Sequence, residues 1–257
     1  METKEMPGTI DLTGIPQMMQ NPRLSIRQMI QDRDMRGLIE KAAEFHGHLC
    51  SFVTLGVMAG SLAVRKLGEE SMDGMEKVIC IIECNNCFAD GVQITTGCTF
   101  GNNALIFRDL GKNAFTLIRR EDRAFRVCVR PEALETIERV QERIYPGSRE
   151  LFDKVITRRS GTAEEGELLK KLFLRGSYEL AILPQEELLT IQEVQASAEK
   201  YAPIFRSSIC ALCGEKIMET RARVRDEKIV CIPCRQDSFF QLDGSGISQK
   251  RGERSCC

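Results

Sequence analysis

Both histidines of the 257-residue chain lie in one six-residue stretch, Phe45-His46-Gly47-His48-Leu49-Cys50, together with one of its twelve cysteines. In an extended backbone alternate side chains share a face. His46, His48 and Cys50 would then point one way, and Phe45 and Leu49 the other. Two imidazoles and a thiolate on one face make a soft site for a transition metal, with room for a fourth donor. A continuous helix would rotate positions two apart by about 200° and scatter these donors. The stretch is therefore expected to be a loop or strand, which Gly47 eases.

A second donor set lies near the C-terminal end. Cys210-Ala-Leu-Cys213 and Cys231-Ile-Pro-Cys234 are two C-x2-C pairs with seventeen residues between them. Each pair forms a tight knuckle. Four converging thiolates satisfy tetrahedral zinc and leave no position for a substrate, so a structural role is expected. A module of about thirty residues has too little core to fold alone, and zinc would supply its folding energy. Over 206–235 basic residues outnumber acidic ones seven to four, and the four thiolates offset most of that excess. Alternation of Arg221, Arg223 and Arg225 would put three guanidiniums on one strand face. That is a thin basis for binding a phosphate backbone. Tryptophan is absent and only three tyrosines occur, leaving few platforms for base stacking, so nucleic acid is not an expected partner.

Lysine and arginine total 36 against 37 acidic residues, giving a net charge of −1. No global field points to nucleic acid or an anionic membrane. The opening METKEMPGTIDLTG lacks the basic-then-apolar pattern of a secretory signal, and no apolar run is long enough to cross a bilayer. A cytoplasmic protein without a membrane partner is expected. In a reducing compartment its cysteines read as metal ligands or redox thiols rather than disulfides.

The elements that must position these groups can be read from periodicity. Met29, Ile30, Leu38, Ile39, Ala42 and Phe45 keep one helical apolar stripe leading into the His-His-Cys stretch, with Ser25 or Asp32 as its cap. A second helix follows through Leu55, Met58, Ala59 and Leu62. Gly56 and Gly60 on it allow close approach of a neighbouring backbone, and Gly68 stops it. Lys77–Ile82 reads as a buried strand. Asn85 or Asn86 caps the next helix and puts Cys87 in its first turn, where the helix dipole and free N–H groups favour a thiolate. Gly97 ends that helix and Cys98 follows. The segments 104–108, 114–119 and 125–130 read as strands, the first two joined as a hairpin by Asp109-Leu110-Gly111-Lys112. Cys80 and Cys128 in these apolar runs read as core thiols. Pro131 opens a helix that Pro146-Gly147 ends, and 148–200 reads as mostly helical with a break at Ser160-Gly161-Thr162. The composition changes at Ala202-Pro203. From Asp243 the chain is polar, is expected to be disordered and ends in Cys256-Cys257. These two thiols are candidates for soft metal ligands or for inert exposed groups.

Three segments together resemble the FmdE-type family, named for a component of formylmethanofuran dehydrogenase. They are F-H-G-H-L-C at 45–50; Cys87-x-x-Asp90-Gly-Val-Gln93 with Thr96-Gly97-Cys98-Thr99-x-Gly101 and Asp109-x-Gly111-Lys112; and the four-cysteine module. The resemblance implies an α+β fold, with an FmdE-like core of mixed sheet and packed helices plus a small treble-clef-like zinc module, often as a homodimer. It implies a core metal or thiol site of His46, His48, Cys50 and Cys87. Asp90, Gln93, Cys98 and Lys112 become supporting or pocket residues, with Cys87 and Asp90 as catalytic candidates. The family usually has proline and glycine where this chain has Ser51 and Phe52. Cys84 is extra, and Cys84-x2-Cys87 also has the spacing of a redox pair. On this basis the chain divides into an N-terminal arm (1–24), a core domain carrying the metal/thiol site (25–145), a helical extension (146–202), a zinc module (203–240) and a flexible tail (241–257).

Three functions compete: a metal- or thiol-dependent enzyme or accessory to one-carbon or molybdenum/tungsten metabolism, with a possible redox-enzyme partner; a non-catalytic metal-handling or metal-sensing protein; and a regulatory protein acting through its zinc module. The cofactors expected are zinc at the C-terminal module and a second transition metal at the core.

Overall fold

The computed structural model describes residues 21–68, 75–120, 122–198 and 200–252. Cys256 and Cys257 lie outside the described residues.

The first helices among the described residues are α1 (Leu24–Gln31) and α2 (Met35–His46). The single stripe expected here is broken at Arg33, whose φ is positive, and the cap is neither Ser25 nor Asp32. Asp34 caps α2 by accepting from the Gly37 amide at 2.9 Å. Gly47 then takes a left-handed conformation (φ 87°), Cys50 is extended, and α3 (Ser51–Leu67) begins directly. The His-His-Cys stretch is thus a helix–loop–helix corner, and its donors converge through the turn at Gly47 rather than through strand alternation.

Helix α3 is buried along nearly its whole length and is the centre of the molecule. Against it lies α4 (Cys87–Thr96), capped by Asn86, which accepts from the Phe88 amide at 3.0 Å. Gly56 and Gly91 face each other there. A Cβ at Gly56 would collide with the Phe88 carbonyl, and one at Gly91 with the Val53 carbonyl. Gly60 is likewise filled by Thr95. These glycines serve packing within the chain and carry no argument for a dimer. At the far end of α4, Arg23 donates to the carbonyls of Ile94 (2.6 Å) and Thr95 (2.9 Å). A cation at these exposed carbonyls suits the negative end of the helix.

Among the described residues the sheet has five strands in the order β2-β1-β3-β4-β5. They are β1 (Val78–Ile82), β2 (Leu105–Phe107), β3 (Ala114–Arg119), β4 (Ala124–Val129) and β5 (Leu189–Glu193). β1 is buried at every position, as a strand covered on both faces must be. It pairs in parallel with β2 (Cys80 opposite Leu105) and antiparallel with β3 (Cys80 opposite Leu117). This corrects the expected hairpin of 104–108 with 114–119: β1 inserts between them, and the hairpin is β3–β4. β5 pairs with β4, Val127 opposite Ile191, where a helix was expected. Between them run α5 (Glu132–Ile144), α6 (Ser148–Phe152), a π-helical turn (Asp153–Thr157), α7 (Ala163–Ala181) and the short α8 (Gln185–Leu188). Thr162 and Glu165 form a reciprocal capping box at the start of α7.

Where β1 leaves the sheet, Glu83 receives two hydrogen bonds from Arg126 of β4, at 2.8 and 2.7 Å. Glu83 is 6% exposed, so this pair braces the loop that leads to Cys87. The hydrogen bonds from Arg126 hold the Glu83 carboxyl below the usual glutamate range, against the opposing effect of burial. A depressed carboxyl pKa stabilises the fold above the unfolded value of about 4.3 and loses that contribution as pH falls through the folded value. Glu83→Gln should therefore be less stable than wild type at pH 7, with the gap closing below about pH 4 in urea denaturation at a series of pH values.

The C-terminal module consists of β6 (Ser207–Ile209), β7 (Lys216–Met218), a 3-10 turn (Glu219–Arg221), β8 (Arg223–Arg225), β9 (Lys228–Val230) and α9 (Ile232–Arg235). The expected face of three arginines does not form. Arg221 is in the 3-10 turn, Arg223 pairs with Asp237 at 2.5 Å and Arg225 donates to the Cys234 carbonyl at 3.2 Å. The chain from Asp243, expected to be disordered, instead closes a β-hairpin over its described residues: β10 (Ser238–Asp243) pairs with β11 (Gly246–Arg251). The hairpin docks on the core: Asn85 donates to the Asp243 carbonyl at 2.6 Å, and the Ile247 amide donates to Asp109 at 2.8 Å.

Candidate functional site

The corner between α2 and α3 meets the start of α4. One donor atom each from His46, His48, Cys50 and Cys87 lies within 4.8 Å of all the others. His46 comes from the last turn of α2, His48 from the corner, Cys50 from the position before α3, and Cys87 from the first position of α4. The Gly56–Gly91 contact brings α4 close enough for Cys87 to join the other three.

His46 Nδ1 lies 2.7 Å from Asp90 Oδ2, and Gln93 donates to Asp90 Oδ1 at 2.9 Å. The carboxylate holds the imidazole proton on Nδ1 and leaves Nε2 with its lone pair. That Nε2 is buried and has no hydrogen-bond partner. Burial of this kind is costly without a partner, and a metal ion at the centre of the cluster would satisfy it. Burial lowers the His46 pKa, but the hydrogen bond to Asp90 and the charge of Cys87 outweigh it and raise the net value. The Cys87 thiol is pulled down to about 5, first by a hydrogen bond from Cys50 and, against the effect of burial, by the charges of His46 and His48. Cys50 moves the opposite way because it keeps the shared proton and is buried. One thiolate is thus already in place, and the second proton is held where a metal would displace it.

Two cavities meet at Cys87. One, of about 580 Å³, lies between the start of α3 and helices α5–α7, and is lined by His48, Cys50 and Cys87 together with Phe52, Phe152 and Phe173. The other, of about 510 Å³, is lined by His46, Asp90, Gln93, Asn85 and Cys84, and by Leu242, Asp243 and Gly244 of the C-terminal hairpin. That hairpin wall was missed from sequence. The turn residues between Phe239-Phe240-Gln241-Leu242 and Ile247-Ser248-Gln249-Lys250 were its available signal.

Of the other expected residues, Gln93 reaches the site through Asp90, whereas Cys98 and Lys112 do not line either cavity. Cys98 is buried at the far end of α4 with Sγ 3.5 Å from the Val78 carbonyl. The Lys112 amide donates to the Glu83 carbonyl at 3.0 Å, so its loop braces β1. Cys84 is buried beside the cluster but outside it, and burial pushes its thiol up to about 11.

The second donor group is Cys210, Cys213, Cys231 and Cys234, also mutually within 4.8 Å. Cys213 and Cys231 Sγ are 3.8 Å apart. A tetrahedron with zinc–sulfur bonds of about 2.3 Å has an edge of about 3.8 Å, so these thiols fit zinc. Amides of Cys231 and Cys234 donate to Cys210 Sγ (3.3 Å) and Cys231 Sγ (3.5 Å), as expected for thiolates.

Comparisons with known proteins agree with both groups. A family model described as prokaryotic dksA/traR C4-type zinc finger matches residues 203–238. A curated relative from Archaeoglobus fulgidus, described as a probable S-adenosyl-L-methionine-binding protein, is 41% identical over 220 residues. The match covers 84% of this chain and 57% of that relative, so the chain spans little more than half of its length. Among solved structures, an FmdE-like protein of tungsten formylmethanofuran dehydrogenase type from Syntrophus aciditrophicus superposes with a TM-score of 0.50 at 22% identity. That superposition covers 78% of this chain and 91% of the other, and shows a shared fold. A model described as FmdE, molybdenum formylmethanofuran dehydrogenase operon, matches residues 45–190, more than half of the chain and all four donors of the core cluster. This chain belongs to the FmdE family.

Proposed function

We propose that this metal-binding protein holds a transition metal at His46, His48, Cys50 and Cys87, separate from its C-terminal zinc. We further propose that it serves as a metal-dependent accessory to molybdenum or tungsten enzymes of one-carbon chemistry. The observation that carries the metal reading is His46 Nε2, buried and unpartnered, with its other nitrogen fixed by Asp90. When bound, such a metal supplies Lewis acidity toward a carbonyl, thiol or water. The chain's own groups prepare that place. Asp90 keeps the His46 proton on Nδ1, Gln93 steadies Asp90, and the first turn of α4 favours the charged form of Cys87. Family resemblance supports a homodimer and docking to a redox enzyme as parts of the same proposal. A reducing, cytoplasmic setting is supported by the free thiols Cys80, Cys84, Cys98 and Cys128, and no helix among the described residues is long and apolar enough to cross a membrane.

Anaerobic cobalt(II) titration tests the core site. Wild type should show two sets of visible bands, one from each group, and Cys87→Ser should lose one set while keeping the four-thiolate bands. Equal spectra for the two proteins would remove the core metal from the proposal.

A second reading, binding of S-adenosylmethionine, is favoured by the 41% identical archaeal relative. Equilibrium dialysis with labelled S-adenosylmethionine decides it. Saturable binding places that ligand on this chain, whereas its absence removes this second reading.

A further inference from the structure

The four donors divide between the two cavities. His48, Cys50 and Cys87 line the 580 Å³ cavity, and His46 faces the other with Asp90 behind it. Anything in the larger cavity therefore approaches the cluster across the face made by one imidazole and two sulfurs. The walls above that face are aromatic and aliphatic. Phe52 enters from the first turn of α3, Phe152 from the end of α6 and Phe173 from α7, with the Phe152 and Phe173 ring centroids 6.2 Å apart and tilted by 56°.

Glu138 and Arg149 stand at the exposed rim of this cavity, 3.9 Å apart, and the polar side chains deeper in its wall are engaged with one another. Glu142 accepts from the Ser148 hydroxyl (2.7 Å) and from the amides of Gly147 (2.9 Å) and Arg149 (3.1 Å), and Gln141 donates to the Ser51 hydroxyl (3.2 Å). A ligand rich in hydrogen-bonding groups would lose water here with little in return. Two further features mark the cavity as a binding place rather than a packing fault. Its wall includes Ile156, from the π-helical turn Asp153–Thr157, a rare geometry concentrated at functional sites. Its volume lies in the range of small-molecule pockets, about 300–1,000 Å³.

We propose that this cavity binds a small organic thiol or thioether with an apolar, ring-sized body, oriented with its sulfur toward His48, Cys50 and Cys87. The ring is recognised by the three phenyl groups, and the sulfur adds as a fifth donor to the metal that the preceding proposal places in the cluster, on which this inference rests. Hard oxygen donors of the same shape are discriminated against, because a cysteine-rich centre prefers sulfur.

The test uses the full chain loaded with cobalt(II) and three probes: benzyl mercaptan, benzyl alcohol and 2-mercaptoethanol. Benzyl mercaptan should shift the core-site bands, and it should do so at a concentration about tenfold or more below that of 2-mercaptoethanol, since only the former buries a ring. Benzyl alcohol should leave the bands unchanged. Leu134→Trp, at a rim position 49% exposed and so tolerant of bulk, should fill the cavity and abolish the benzyl mercaptan response without altering the starting spectrum. Phe152→Ala, also at an exposed position, should weaken the response. Absence of any core-site spectrum would overturn the metal reading itself. A normal core-site spectrum that ignores benzyl mercaptan, loses its cobalt to it, or responds equally in Leu134→Trp would overturn the ligand inference alone. An equal response to benzyl alcohol would overturn the preference for sulfur.

Discussion

Cys210→Ser is expected to release the C-terminal zinc and unfold the module while leaving the five-stranded sheet intact. The only buried cluster in this module, among the described residues, is Cys210, Val230, Cys231 and Cys234, with Cys213 and Ile217 against it. Without the metal these few side chains do not offset the conformational entropy of about thirty residues. Structural zinc sites of this type contribute an apparent ~10–16 kcal/mol near neutral pH, which makes this the largest effect expected of any single change in the protein. The consequence should reach the core. The hairpin β10–β11 follows directly from the module, and the Gly252 amide returns to the Asp237 carbonyl at 2.8 Å. Loss of the module loosens the anchor of the hairpin that walls the smaller cavity. Hydrogen exchange should show 206–235 unprotected, the Ile247 amide exchanging faster, and the amides of β1 and β3 as slow as in wild type. Full zinc retention by Cys210→Ser would contradict the assignment.

Asp90→Ala is the second large effect. Asp90 touches the cluster only through His46, so its removal should leave the donors in place but free the imidazole to rotate and change tautomer. Loss of such a partner typically lowers metal affinity about 10–100-fold. The fold should tolerate the change, because the Asp90 side chain is 32% exposed. Competition with a chromophoric chelator should show weakened core-site binding and an unchanged four-cysteine site. Asp90→Asn, which can still accept from Nδ1–H, should recover part of the loss. Equal weakening of both sites would mean that the substitution disturbs the fold rather than the imidazole.

Much of the site was legible because its donors are rare residue types at short spacing. Two histidines and a cysteine within five residues, and two C-x2-C pairs, require little knowledge of the fold. The cap at Asn86 was legible for the same reason: it is local chemistry between neighbours. What failed was long-range. Nothing local in Leu105–Phe107 says that β1 rather than β3 lies beside it, since strand order is decided by which strand must be covered on both faces. β5 is five residues directly after a helical turn, too short for its alternation to stand out from helical periodicity. The strand after Asp243 was read as disorder from its polar composition, although pairing of Leu242 with Ile247, next to Phe240 opposite Gln249, gives the hairpin an apolar side. Cys98 and Lys112 were drawn toward the site by motif membership. In three dimensions one sits a helix length away and the other lies on a brace. Ser51 and Phe52, where the family usually has proline and glycine, turned out to line the larger cavity beside Cys50.

The central claim is that the chain carries two separate metal sites, and metal content per chain after anaerobic purification tests it most directly. Wild type should hold two equivalents, one for each donor group. His48→Ala should hold one, retained by the four cysteines, with an unchanged circular dichroism spectrum, because His48 is exposed and its ring contact is with His46. Two equivalents in His48→Ala, or one in wild type, would contradict the account.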